Sequence, residues 1–318
     1  MSQPPVRPFR FLAGAVGIVD GKTLAEKARR AESIGYSVLV FSDHLLEQVA
    51  PIPAMTVAAA ATTKLRVGTF VFNNDLRHPA VLAQDLATLD VLSNGRLEIG
   101  IGAGWNEPEY EEIGLPFEPV ATRVGRLAES VAVLKGLFGD GPFSFDGTHY
   151  TIRARHGQPK PVQKPHPPLM IGGGGRRVLS LAAREANIVS LAPRIAGDGR
   201  GDPTSITVAA TAEKIDWVRE AAGDRFGDLE FNVYPSMSEV TVTDQARRAA
   251  ARLRDKLRQE TGHDVSEDDL LESPQIFIGS IDGLAEKFRA LRERLGISSF
   301  MVGGIDELAP VVERLAGT

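Results

Sequence analysis

The chain has 318 residues, of which 43% are hydrophobic, 24% charged and only 6% aromatic, with 36 basic and 41 acidic side chains giving a net charge of −5. That balance fits a soluble globular chain with an aliphatic core and excludes a disordered, collagenous or membrane-spanning protein. It leaves no basic excess for a nucleic-acid surface, and a chain without cysteine has no disulfides, iron–sulfur ligation or thiol catalysis.

The opening residues, Met1-Ser2-Gln3-Pro4-Pro5-Val6-Arg7-Pro8, lack an apolar h-region, so no secretory signal is read and a cytoplasmic location is expected. Phe9-Arg10-Phe11-Leu12-Ala13-Gly14 is short and mostly apolar, as a buried parallel strand is. Asp20 is a candidate N-cap for a helix in which Leu24, Ala28, Ala31 and Ile34 share a face, closed by Gly35. Val38-Leu39-Val40-Phe41 makes a second strand, 52–62 a helix, and Leu65-Arg66-Val67-Gly68-Thr69-Phe70-Val71 a third strand. His78-Pro79 opens a helix with proline at its first position; Leu82, Leu86 and Leu89 form its buried stripe, and Ser93-Asn94-Gly95 stops it. Leu97-Glu98-Ile99-Gly100-Ile101 is the fourth strand, and 123–137 is an amphipathic helix.

Residues 139–168 read as an extended insertion, with a hairpin-like Phe145-Asp146-Gly147-Thr148-His149-Tyr150 followed by a proline-rich run. Alternation resumes with Leu169-Met170-Ile171, a helix at 177–186, the strand Ile188-Val189-Ser190-Leu191, a loop at 196–203 and a helix at 211–222. Leu229-Glu230-Phe231-Asn232-Val233 is a seventh strand, and 244–274 is charged and helical without an apolar stripe wide enough for the core. A helix at 281–295, the strand Ser298-Ser299-Phe300-Met301-Val302 and a helix from Asp306 close the chain. Eight strand–helix units without a mid-chain linker predict an α/β fold, a single (β/α)8 TIM barrel over 1–318, with insertions after strand four and near the C-terminal strands.

In a barrel the functional face follows the C-terminal strand ends. Ser42-Asp43-His44 reads either as an oriented acid/base pair or as a capping aspartate beside a solvent-facing histidine. Asn73 and Asn74 either bind a ligand's heteroatoms or form a turn. Gly100, Gly102 and Gly104 permit close approach by a flat ligand with Trp105 as a wall, or serve packing of the strand itself. Gly172-Gly173-Gly174-Gly175-Arg176-Arg177 feeds a helix N-terminus, a natural anion site, though a merely flexible turn has the same composition. Leu12, Trp105 and Leu191 suggest a partly apolar pocket, and the histidines show no metal-ligand spacing, so no metal is expected. A cofactor-free lyase or hydrolase would want paired carboxylates or a lysine at strand ends; Lys160 and Lys164 lie in the insertion, while Glu107 and Glu109 merely follow the strand-four loop.

Taken together these pieces resemble the bacterial luciferase-like superfamily of flavin- and deazaflavin-dependent barrels, in particular its F420-dependent oxidoreductase branch, over nearly the whole chain. The resemblance rests on Ser42-Asp43-His44, Val67-Gly68-Thr69-Phe70-Val71, His78-Pro79-Ala80-Val81-Leu82-Ala83-Gln84 through Ser93-Asn94-Gly95-Arg96, Gly100-Ile101-Gly102-Ala103-Gly104-Trp105, and Phe277-Ile278-Gly279-Ser280 before a helix. It implies F420, or alternatively FMN, at the barrel mouth, with a non-prolyl cis peptide at Phe70–Val71 behind the ring and His44 at the ring edge. His44 is then the catalytic group, relaying the accompanying proton or stabilising developing ring charge, and oriented by Asp43. Asp43, Phe70, Val71, Asn73, Gly102, Gly104 and Trp105 would line the cofactor, and Gly172, Gly173, Gly174, Gly175 and Arg176 would receive its phosphate.

Two departures stand out. Sugar-phosphate dehydrogenases of the group carry a catalytic glutamate in the loop where this chain has Trp105, and true luciferases carry an arginine where it has Ala103. The expected reaction is hydride transfer between the deazaflavin C5 and a small organic substrate. The alternatives are an FMN-dependent monooxygenase and a non-catalytic flavin- or deazaflavin-binding protein. Loops at 196–203 and 258–274 are lid candidates by composition. A homodimer through outer helices is what the resemblance implies, with no nucleic acid or membrane as partner.

Overall fold

Parallel strands buried on both faces need near-continuous apolar sequence, and the apolar runs become such strands in the computed structural model. The structure describes residues 6–18, 20–196 and 199–318; residues 1–5, to which the leader reading applies, and Gly197 and Asp198 of the loop 196–203 lie outside the described residues. The strands are β1 (Arg10–Gly14), β2 (Val38–Phe41), β3 (Arg66–Thr69), β4 (Leu97–Gly102), β5 (Leu169–Gly173), β6 (Ile188–Leu191), β7 (Glu230–Val233) and β8 (Ile297–Met301). These eight close into a parallel barrel with helices around it, and Phe72–Asn73 adds a short extra strand. No helix among the described residues is long and apolar enough to cross a membrane.

The chain divides into two compact units. In the unit spanning 15–29 and 38–171, β2 lies against β3 with Val38 opposite Arg66 and Phe41 opposite Thr69. There β3 pairs β4 through Val67 and Leu97, and β4 pairs β5 through Ile99 and Leu169. Strand β3 ends earlier than its apolar run suggests. The Phe70–Val71 peptide is cis, as the resemblance implies, and pairing with β4 resumes only at Phe72, opposite Ile101. The Thr69 hydroxyl bridges the gap, donating to the Gly100 carbonyl at 2.7 Å and accepting from the Gly100 N–H at 3.2 Å.

Helix Pro79–Leu92 begins as its sequence predicts, with Pro79 in the first turn and His78 Nδ1 accepting from the Ala80 N–H at 3.2 Å. It stops at Asn94 and Gly95, whose φ values of 55° and 75° break the helix. The amphipathic helix expected at 123–137 runs from Val120 to Phe138. The insertion holds an antiparallel hairpin, Pro142–Asp146 with Thr151–His156.

The second unit, 1–14, 30–37 and 172–318, pairs β1 with β8 (Arg10 opposite Ser299) and β7 with both β8 and β6. Its aromatic core joins Phe9, Phe11, Phe277, Phe288 and Phe300, the last two stacked at 4.3 Å. Segment 244–274 corrects the sequence reading. Helix Ala246–Thr261 buries a narrow stripe of Ala250, Leu253 and Leu257. The two leucines join Ile206, Val265, Leu270, Ile276 and Ile278 in a satellite core that needs no broad face. Two lysines tie loops to helices in this unit. Lys214 donates to the carbonyls of Ala192 and Ser205, and Lys287 to those of Leu271 and Ile276, all at 2.6–2.7 Å.

Candidate functional site

Strand β2 delivers Asp43 and His44 to its C-terminal end, but the two side chains do different work. Asp43 is 5% exposed and takes a forked ion pair from Arg77, Nη1 to Oδ2 at 2.6 Å and Nη2 to Oδ1 at 3.0 Å. The same carboxylate accepts the Asn73 N–H at 3.0 Å. It therefore fixes the turn beyond β3 and does not orient His44, which corrects the sequence reading: its bonds go to Arg77 and the Asn73 N–H, and the imidazole nitrogen bonds a different carboxylate.

The orienting group is Glu109. Its carboxylate, 3% exposed, lies 2.8 Å from His44 Nδ1 and accepts a 2.6 Å bond from the Asn106 amide. With Nδ1 engaged by Glu109, Nε2 is the ring nitrogen not used in this contact. Trp105, 55% exposed, meets the imidazole edge-on at 5.6 Å. Sequence reasoning passed over Glu109 because Glu107, Glu109, Glu111 and Glu112 form an acidic run that reads as a solvated face. The available signal was Pro108, which opens the six-residue helix Glu107–Glu112 and turns Glu109 and Tyr110 inward.

Behind this pair lies a polar frame. The Tyr110 hydroxyl lies 2.9 Å from Asn73 Oδ1 and 3.2 Å from Asp75 Oδ2. Burial, with Asp75 beside it, pushes Tyr110 up to about 12, so it stays a protonated donor. Asn73 Oδ1 also caps the following turn through the Asp75 N–H at 3.1 Å, so its oxygen belongs to the turn and is not offered to a cofactor. The glycines of β4 likewise answer to protein atoms. A Cβ at Gly100 would overlap the Thr69 carbonyl oxygen, one at Gly102 would come within 2.9 Å of Val71, and one at Gly104 would overlap the Tyr110 hydroxyl. These positions serve the bulged neighbour strand and the loop, which is the packing alternative of the sequence reading. Phe70 and Val71 are part-exposed on the bulge, whereas Leu12 and Leu191 are buried in the core and wall no pocket.

In the other unit, β5 runs through Gly172–Gly175 into helix Arg176–Glu185. A Cβ would overlap the Val178 side chain at Gly173 and the Pro193 carbonyl at Gly174, yet meet nothing within 4 Å at Gly175. Among the described residues no side chain caps this helix, which leaves its first-turn N–H groups as open donors. Such a cradle fits the anionic group that a phosphorylated flavin or deazaflavin carries. Arg176 does not lean over it; it is exposed and paired with Glu220 at 2.6 Å on helix Val208–Ala222.

The family model for luciferase-like monooxygenases matches residues 8–299. Among curated relatives, an F420-dependent glucose-6-phosphate dehydrogenase of Beutenbergia cavernae is 35% identical over 131 residues, 39% of each chain. An FMNH2-dependent dimethylsulfone monooxygenase of Pseudomonas putida is 35% identical over 125 residues, 39% of this chain and 34% of that one. The chain thus spans between a third and two-fifths of the length of these relatives. The structure is similar to that of the coenzyme F420-dependent tetrahydromethanopterin reductase of Methanopyrus kandleri, with a TM-score of 0.74, 18% identity and 96% of each chain covered, a likeness that speaks for the fold. With a barrel of this architecture and a family match running from β1 into β8, the chain belongs to the luciferase-like monooxygenase family.

Proposed function

We propose that this protein is an F420-dependent oxidoreductase acting on a small organic substrate. When bound, the deazaflavin supplies a hydride-exchanging carbon, C5. The observation that carries the reading is the buried Glu109 carboxylate on Nδ1 of a part-exposed histidine at a strand end. In this reading His44 gives or takes the proton that accompanies hydride transfer through Nε2. Glu109 holds the ring in one orientation through Nδ1, and Asn106 holds Glu109. Asp43 and Arg77 keep the Asn73 turn in place, and the open amides after Gly175 receive the cofactor's anionic group. Relatives that use FMNH2 keep the flavin alternative in play, and one experiment separates the two.

The protein contains two tryptophans, Trp105 and Trp217. F420 and FMN are titrated separately while tryptophan emission is followed. Saturable quenching by F420, with FMN weaker, supports the reading; tight FMN binding without F420 binding overturns it. Replacing His44 by Ala is expected to slow turnover by about 10²–10⁴-fold, the range of a lost general acid–base, with F420 affinity nearly unchanged. Wild-type turnover in that variant removes His44 from the chemistry.

A further inference from the structure

Within its unit, His44 is framed by segments 42–48, 70–77, 103–118 and the first two turns of helix Val120–Phe138, which hold three arginines and no lysine. All three arginines are engaged internally. Arg77 is forked onto Asp43. Arg123 donates to the Ala103, Gly104 and Glu118 carbonyls and stacks 3.9 Å above the Phe117 ring. Arg126 is 2.9 Å from Asp75 and also pairs with Glu118. The acidic residues divide differently. Asp43, Asp75, Glu109 and Glu118 belong to these internal contacts, whereas Glu47, Glu107, Glu111 and Glu112 are exposed.

Among the exposed groups next to His44 in sequence or in contact with its ring, three are large and apolar: Leu45 at 48%, Leu46 at 61% and Trp105 at 55% exposure. The two leucines stand on a built turn. Gln48 donates from its amide to the Ser42 and His44 carbonyls at 3.1 and 3.0 Å, and the Ser42 hydroxyl donates back to Gln48 Oε1 at 2.6 Å. A turn stapled at its base and carrying two leucines into solvent, next to an exposed indole and a proton-exchanging histidine, presents a small apolar contact surface.

We propose that the molecule presented to His44 is a neutral or cationic organic compound with an apolar carbon skeleton and no anionic group, selected by Leu45, Leu46 and Trp105. This rests on the reading of His44 as the proton-exchanging group. A carboxylate or phosphate arriving here would lose hydration with no arginine or lysine of this frame to replace it. The exposed glutamates would repel it over a Debye length of about 8 Å at physiological salt. A hydroxyl or carbonyl carries no charge to desolvate, and an ammonium, though it loses hydration, is drawn to the exposed glutamates and the indole face rather than repelled, while the carbon skeleton covers the leucines. By the same reasoning a sugar phosphate lacks a charge partner in this frame.

The test uses the full chain carrying Trp217→Phe, so that Trp105 alone reports, with and without F420. Its emission is titrated with three compounds on one ring, namely cyclohexanol, cyclohexylamine and cyclohexanecarboxylate, and with glucose 6-phosphate. Cyclohexanol and cyclohexylamine are expected to saturate at concentrations at least about tenfold below the carboxylate and the sugar phosphate, with the gap narrowing in high salt. The double variant Leu45→Ser/Leu46→Ser should raise the cyclohexanol midpoint several-fold. Equal or tighter binding of either anion overturns the proposal. So does an unchanged midpoint in the serine variant, or no response of Trp105 to cyclohexanol. Because the ordering is scored on the protein alone as well, a failure of F420 to bind counts against the cofactor reading and leaves the substrate result legible.

Discussion

Asp43→Asn distinguishes a residue that holds main chain from one that tunes the neighbouring imidazole. The asparagine is nearly isosteric, but it turns an NH2 toward a guanidinium that already presents two donors and leaves that cation without a counter-charge. Breaking a buried ion pair from one side costs about 3–5 kcal/mol. Arg77 keeps 26% of its side chain exposed, and water there recovers part of the loss, so about 2–4 kcal/mol is expected. For a chain of 318 residues, each kcal/mol moves the melting temperature by about 1.5 °C, giving a fall of about 3–6 °C. Urea unfolding followed by circular dichroism should show a lower midpoint at an unchanged slope. Arg77→Met should lose a comparable amount, and the double variant less than the sum, because each single change strands the other partner's charge. A loss below about 1 kcal/mol in Asp43→Asn, or strict additivity, refutes the clamp.

Glu109→Gln replaces a charge-assisted bond to His44 Nδ1 by a neutral one; with about 1.5–3 kcal/mol at stake, turnover should fall roughly 10- to 100-fold. Steady-state kinetics beside an F420 titration check this, and full turnover would reduce Glu109 to a packing role. Gly175→Asp supplies the missing cap to helix Arg176–Glu185, so it should raise stability by a few tenths to about 1 kcal/mol while weakening F420 binding at least tenfold. Thermal melts and binding that move in the same direction would contradict the open-amide cradle. Lys214 is 1% exposed, and burial, with Arg194 adding to it, lowers its pKa to about 8. Between that value and the ordinary 10.5, the unfolded chain binds a proton that the folded chain does not, so stability should rise with pH across this window. The rise is on the order of 1.4 kcal/mol per pH unit at most. Urea unfolding near pH 8 and near pH 10 should show this slope in the wild type and its loss in Lys214→Met; equal slopes would refute it.

Much of the fold was legible because its signals are local. Val38-Leu39-Val40-Phe41 and Ile188-Val189-Ser190-Leu191 are wholly buried and read as such, and His78-Pro79 with Asn94-Gly95 mark both ends of a helix. The site was legible only in part, because its key relations are distant in sequence. Asp43 meets Arg77 across 34 residues and His44 meets Glu109 across 65, and no spacing rule links them. A glutamate within an acidic run differs from its neighbours only by burial, which pattern alone does not supply. Glycine in β4 signals a close approach, but not whether the visitor is a ligand or a neighbouring strand. The satellite core at 244–274 escaped notice because three apolar positions suffice when the surface to be covered is small.

The glycines of β3 and β4 divide the molecule's tolerance for change very unevenly. At 68, 100 and 102 any added carbon would press on the Glu98 carbonyl, the Thr69 carbonyl or Val71. Diversification there would destroy the scaffold before it altered chemistry. Leu45, Leu46 and Trp105 project from the same half of the barrel with much of their surface free, so mutational libraries confined to those three sites can explore new reactants on an untouched chassis.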